Sequence, residues 1–308
     1  MKIAVRMEGG LGDHLLANRF LFAIKEKFSS AGIKIFSDTE GNSSSLNVLK
    51  KLFPEHYNNS EVVQYRKDKN FQIETPTWGK EHYPAHINNM PEEVLQEINS
   101  ADKFYDLHID GLKWLKYDFD WLKYYYFFPT PRLELKSKID PGYILMHLYA
   151  RPGSPYNLEK QYATEIVQKL AINQKVVIVT QESDLEFYSK VSGLTNVKIE
   201  TPDNVLDIFS LASGCAAFLG IDSGIRYIPY HFSKPTFVLS KNCKKFGSPY
   251  SSHLIRWLLF PNHVIPIGME EATIVEIIKQ SLKNPAAQIF PQLLLNQNIN
   301  QTIVNRFE

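Results

Sequence analysis

Three glycines lead into an aspartate near the amino terminus. Gly9, Gly10 and Gly12 precede Asp13 in GGLGD, between the apolar run Ile3-Ala4-Val5 and a longer amphipathic stretch. Glycines in a β-α turn admit positive φ and let a ligand approach the backbone N–H groups. The start of the helix that follows favours negative charge. The spacing is neither GxGxxG nor the phosphate-loop pattern GxxxxGK[ST]. Asp13 therefore has two readings. It is a cap for its own helix, or it has a task toward a ligand that approaches the turn. In the second reading Gly10, Leu11, Gly12 and His14 border that ligand.

A second turn, GIDSG over residues 220–224, ends another apolar run. Asp222-Ser223-Gly224 opens a short helix. The amides of Ser223, Gly224 and Ile225, with the Ser223 hydroxyl, would suit a diphosphate. The plainer reading is that Asp222 or Ser223 only caps that helix. A DxD-type pair, Asp118 and Asp120, is the pattern that holds a metal in some sugar transferases, but it lies in an amphipathic aromatic stretch with no clear strand before it. The nine histidines show no metal-ligand spacing, so no metal site is expected. His14 and His147 read as structural histidines or as cleft residues. The aromatic run over 114–128 reads as core packing or as a platform for sugar rings; charges interrupt it as a lipid-facing patch.

These residues need elements to hold them. A strand over 2–7, a glycine turn and a helix carrying Leu16, Phe20, Ile24 and Phe28 on one face open the chain, with Asn18, Arg19, Lys25 and Glu26 pointing elsewhere. Gly32 sits where that helix would stop, and a second strand over 33–36 completes a β-α-β unit. Helices are expected over 46–52 and 91–98, and the middle of the chain is otherwise hard to assign. The stretch PTPRLELKSKIDPG is the candidate linker. Beyond it strands over 143–148, 175–180, 197–200, 216–220 and 236–240 alternate with helices over 158–170, 184–191, 205–211 and from 225. A late helix spans 271–282, and another apolar segment lies at 289–295. The fold expected is α/β, with two Rossmann-like domains facing a central cleft. Residues 1–138 form the first, 139–285 the second, and 286–308 a tail that can pack back on the first. Ligands in such sheets bind beyond the carboxyl ends of the strands.

Composition narrows the partners. Lys plus Arg number 34 and Asp plus Glu 33, a net charge of +1, which gives no strong nucleic-acid or membrane-surface signal. The two cysteines, Cys215 and Cys243, form no metal or disulfide framework. The amino terminus does not read as a signal peptide. No window approaches the roughly 20 apolar residues of a transmembrane span. The expectation is a cytoplasmic protein.

The stretch IAVRMEGGLGDHLLANRFLFAIKEKF resembles the opening of the glycosyltransferase family that includes the lipopolysaccharide heptosyltransferases, glycosyltransferase family 9. DNVLDIFSLASGCAAFLGIDSGIRYIPYHFSKPTFVL is similar to the same family's second signature. The likeness covers the opening β-α-β unit and most of the stretch from Tyr143 to Ser240, not the aromatic middle. It implies a GT-B fold and a metal-independent, inverting transfer of a sugar, such as a heptose, from a nucleoside-diphosphate sugar to an acceptor hydroxyl. No cofactor is implied, and the acceptor is a glycan, a lipid-linked molecule or a protein. Asp13 falls on the family's catalytic base, and Asp222, Ser223 and Gly224 on its diphosphate turn. Arg151 falls where the family carries a basic residue for the donor phosphates. Glu182 falls on its acid near the donor ribose, with Asp184 or Glu186 as alternatives. The sequence departs from the family at Tyr227, where a histidine is usual; Arg226 before it is a substitute phosphate contact. It departs again at Glu8 and at GSPYNLEK, which replaces the usual tryptophan-proline pair. Two other readings share the scaffold: a non-catalytic nucleotide-sugar or glycan-binding protein, and a transferase acting on protein or DNA.

Overall fold

The computed structural model describes residues 1–7, 10–38, 43–65, 90–107, 133–150, 152–240 and 263–283. Glu8, Gly9, Asp118, Asp120, the aromatic run over 114–128, Arg151 and the 286–308 tail lie outside the described residues. The chain divides into two compact units, Met1–Pro129 and Thr130–Glu308.

The first unit is built on four parallel strands: β1 (Lys2–Arg6), β2 (Gly32–Asp38), β3 (Ser60–Tyr65) and β4 (Lys103–Asp106), in the order β3-β2-β1-β4. Strands buried on both faces must be apolar throughout, and Ile3, Ala4 and Val5 are at most 1% exposed. Helix α1 (Leu11–Lys27) follows β1 and packs against α2 (Ser43–Leu52) and α3 (Pro54–Tyr57). Helix α4 (Glu92–Asn99) contributes Val94, Leu95 and Ile98 to a cluster with Ala4, Phe36 and Tyr65.

Three expectations change here. Asn18 does not point away from the core. It is buried, because α3 covers that side of α1, and its Oδ1 lies 3.1 Å from His56 Nδ1. Gly32 opens β2 rather than ending α1, which stops at a turn after Lys27. Lys25 also turns inward: its ammonium donates to the carbonyl oxygens of Glu55, His56 and Asn58, tying α1 to the turn before β3.

The second unit holds six parallel strands: β5 (Tyr143–His147), β6 (Val176–Val179), β7 (Val197–Glu200), β8 (Cys215–Ile221), β9 (Thr236–Ser240) and β10 (His263–Pro266). Their order is β10-β9-β8-β5-β6-β7. Counted from β5 this is 3-2-1-4-5-6, the doubly wound order of dinucleotide-binding sheets, in which the strand order reverses between the first and fourth strands. That switch point lies between β5 and β8. Helices α5 (Lys160–Ala171), α6 (Val205–Gly214) and α7 (Glu271–Lys283) flank the sheet. Asn204 caps α6 by accepting from the Asp207 amide at 3.1 Å. The helix expected over 184–191 is a 3₁₀ helix, Glu182–Tyr188, and a second 3₁₀ helix, Gly224–Phe232, follows β8.

Part of the expected linker is bonded into this unit. Leu133 N–H donates to the His231 carbonyl at 2.9 Å, Ser210 Oγ donates to the Lys136 carbonyl at 3.0 Å, and Lys138 pairs with Asp207.

Candidate functional site

The strands of the first sheet end in polar residues, Arg6, Asp38, Tyr65 and Asp106. This is the edge from which the β1-α1 turn leaves. Arg6 is fully buried, and its Nε donates to Tyr65 Oη at 3.4 Å. The sequence reading passed over Arg6, although a charge closing an apolar strand just before a glycine turn was a usable signal.

Asp13 sits in the first turn of α1, half-buried. Its Oδ2 accepts from the Gly10 amide at 2.9 Å, so the capping geometry of the plainer reading is present. A carboxylate has two oxygens and several lone pairs, and one such bond does not exhaust it. His14 is buried beneath the turn, its Nδ1 3.1 Å from the Gly10 carbonyl. That geometry makes it a support of the turn rather than a group facing a ligand. Leu11 and Gly12 are the first residues of α1 itself. Gly10 does not use its freedom at positive φ: its φ is −80°. A Cβ there would make only ordinary contact, 3.8 Å from Asp13 Oδ2. What Gly10 supplies is bare backbone at the N-cap of α1.

In the second unit the turn after β8 lies at the switch point. The expectation that three successive amides are offered there is corrected at one position, because Ser223 N–H turns back to the Ile221 carbonyl at 2.8 Å. The first bond of the 3₁₀ helix runs from Arg226 N–H to the Ser223 carbonyl at 3.2 Å. The Gly224 and Ile225 amides precede it and have no acceptor within the helix. Ser223 Oγ is a buried hydroxyl with no hydrogen-bond partner. Two amides and one hydroxyl at the amino end of a nine-residue helix are suited to anionic oxygen.

Arg226 is not at the surface of this turn. It is fully buried, with Nε 2.8 Å from Asp222 Oδ1, Nη2 donating to Tyr227 Oη at 2.7 Å, and its guanidinium 4.4 Å from the centre of the Tyr227 ring. Burial opposes its charge, but Tyr227, Asp222 and Tyr230 outweigh that, and its pKa is raised. The reading of Arg226 as a phosphate contact is replaced by that of an internal cation. Tyr227 is buried as its partner.

The carboxyl ends of β5 and β6 hold a third group. His147 is buried, its Nδ1–H donating to the Val179 carbonyl at 3.1 Å, which leaves Nε2 as the acceptor. Of the three acids named for the donor side, Glu182 and Glu186 are exposed. Asp184 is buried, with Oδ2 lacking a hydrogen-bond partner, as does Thr180 Oγ1. Burial pushes the His147 imidazole below its usual 6.5, against the opposing pull of the Val179 carbonyl and Asp184. The folded protein then binds the proton less tightly than the unfolded chain, so stability falls as pH drops through about 6.5. Thermal unfolding midpoints measured from pH 7.5 to 5.5 should decline more steeply for the wild type than for His147→Gln. Equal slopes would remove His147 as the cause.

Cys215 offers no nucleophile, since burial pushes its thiol up to about 12. Among the described residues no group of three or more His, Cys, Asp or Glu could hold a metal ion, and no helix is long and apolar enough to cross a membrane.

No family model and no curated protein sequence matches the chain. Solved structures do. The Escherichia coli heptosyltransferase WaaC, solved with ADP, superposes with a TM-score of 0.53 at 9% identity, over 92% of this chain and 98% of that one. The family 9 glycosyltransferase from Veillonella parvula gives 0.52 at 15% identity, over 90% and 89%. The E. coli ADP-heptose lipopolysaccharide heptosyltransferase II gives 0.51 at 14% identity, over 92% and 99%. With two doubly wound parallel sheets in sequence, the chain has the two-domain α/β fold of the GT-B glycosyltransferases.

Proposed function

We propose that the protein is an inverting, metal-independent glycosyltransferase that moves a sugar from a nucleoside-diphosphate sugar to an acceptor hydroxyl. The observation that carries this reading is the anion-ready turn at the β5–β8 switch point. The Gly224 and Ile225 amides and the unpartnered Ser223 hydroxyl lie where ligands bind in this sheet order. Asp13, on the other unit, supplies the base. The acceptor oxygen attacks the anomeric carbon as its proton passes to Asp13. The bond from that carbon to the diphosphate oxygen breaks, and its electron pair leaves with the nucleoside diphosphate. The growing negative charge is met by the amides and the hydroxyl of the Ser223 turn. Attack from the face opposite the leaving group inverts the anomeric centre. WaaC was solved with ADP, and an adenine nucleotide carrying a heptose is the first donor to try.

The test is a thermal-shift panel of nucleoside diphosphates and nucleotide sugars, followed by transfer assays with and without chelator. A ligand at a hundredfold its Kd should stabilise the protein by about 2.7 kcal/mol, and chelator should leave turnover unchanged. No shift with any nucleotide would overturn the reading. A second reading, a binding protein on the same scaffold, is favoured by the Asp13–Gly10 bond, which gives Asp13 a structural task. Nucleotide binding without transfer would select it.

A further inference from the structure

A carboxylate beside a diphosphate is a physical liability. Asp222 immediately precedes the residues that offer donors to the phosphates, and its negative charge would repel them. The structure places a cation against it. Arg226 reaches back one turn, its Nε 2.8 Å from Asp222 Oδ1, and neither side chain is more than 7% exposed. The guanidinium is held from its other end by Tyr227 Oη at 2.7 Å and lies over that tyrosine's ring. Arg226 is too deeply buried to touch a ligand, and Nη1 has no hydrogen-bond partner. Packing alone gives no reason to bury an arginine here, since an apolar side chain of that volume would avoid the desolvation of a charge.

We infer that Arg226 is a charge-compensating positioning residue: it cancels and fixes the Asp222 carboxylate so that the Ser223-Gly224-Ile225 turn can accept a diphosphate. The inference rests on the proposed function only in taking that turn as the diphosphate site. Tyr227 belongs to the same device, holding the guanidinium against the acid.

The experiment is a charge cycle read by calorimetric binding of the nucleoside diphosphate that stabilises the wild type best in the panel above. Arg226→Gln should weaken binding roughly ten- to hundredfold, because it removes the cation held against the Asp222 carboxylate beside the phosphates. Arg226→Gln combined with Asp222→Asn should recover most of that loss, since the pair is then neutral. Arg226→Lys, which keeps the charge and loses the fork, should fall between. A structural arginine would behave differently, with the double variant no better than Arg226→Gln alone. That result, or unchanged affinity in Arg226→Gln, overturns the inference. If Arg226→Gln does not fold, the double variant carries the test: near-native affinity supports the inference, and affinity as weak as that of Arg226→Lys or weaker overturns it. A wild type that binds no nucleoside diphosphate overturns the functional reading and this inference together. Binding by the wild type with no response to the cycle removes the inference alone.

Discussion

Asp13→Asn should reduce sugar transfer by roughly 10²–10⁴-fold while leaving nucleoside-diphosphate binding at its wild-type strength. The substitution separates the two tasks of this residue. An asparagine carbonyl oxygen can still accept from the Gly10 amide, the bond that Asp13 Oδ2 makes at 2.9 Å. The α1 cap is therefore kept, and the thermal midpoint should barely move. What asparagine cannot do is take a proton. Asp13→Ala would confuse the issue, because it also removes the side-chain bond to the Gly10 amide, a hydrogen bond worth about 1 kcal/mol. Donor binding should be indifferent, because the residues assigned to the diphosphate lie on the other unit. The expected signature is a fall in kcat with a steady donor affinity. Undiminished transfer by Asp13→Asn would reduce Asp13 to its capping role and leave the acceptor without a base.

The sequence was legible where a pattern is local. The first β-α-β unit, the strand–helix alternation beyond Gly142 and the two glycine turns follow from spacing within a few residues, and the second sheet has five of its six strands where apolar runs stood. Strands β3, β4 and β10 were not foreseen. SEVVQY and KFYD are short and mix charge with aromatics, and only pairing with β2 and β1 makes strands of them. Side-chain direction was less legible still. Asn18 reads as a surface residue until α3 is laid over it, and Arg226 reads as a ligand contact until Asp222 and Tyr227 are seen to enclose it. Propensity and period describe one element, whereas the burial of a polar group depends on what a distant element brings to it. The choice among Glu182, Asp184 and Glu186 shows the same limit. All three lie on one short 3₁₀ helix, and only its packing buries the middle one.

Gly220→Ala should lower the thermal midpoint by roughly 4–10 °C and weaken nucleoside-diphosphate binding with it. Gly220 stands opposite His147 in the β5–β8 pairing, at the switch point and two residues before Asp222. Its backbone needs no special φ; what it needs is the absence of a Cβ. An added Cβ would lie 2.5 and 2.6 Å from Cζ and Cε1 of the Phe218 ring and 2.9 Å from the His147 carbonyl oxygen. The ring is fully buried and cannot swing clear, and the carbonyl is strand backbone. Either β5 and β8 move apart or Phe218 leaves its site. Overpacking of this kind costs about 1–3 kcal/mol, and both responses shift the Ser223 turn. Phe218→Leu in the same chain tells the two apart. If the ring is the main obstacle, the double variant will be more stable than the sum of the two single losses allows. If the His147 carbonyl is the obstacle, the losses will add. A Gly220→Ala protein with the wild-type midpoint and affinity would mean that the strands yield at no cost, and that the switch point is looser than its packing indicates.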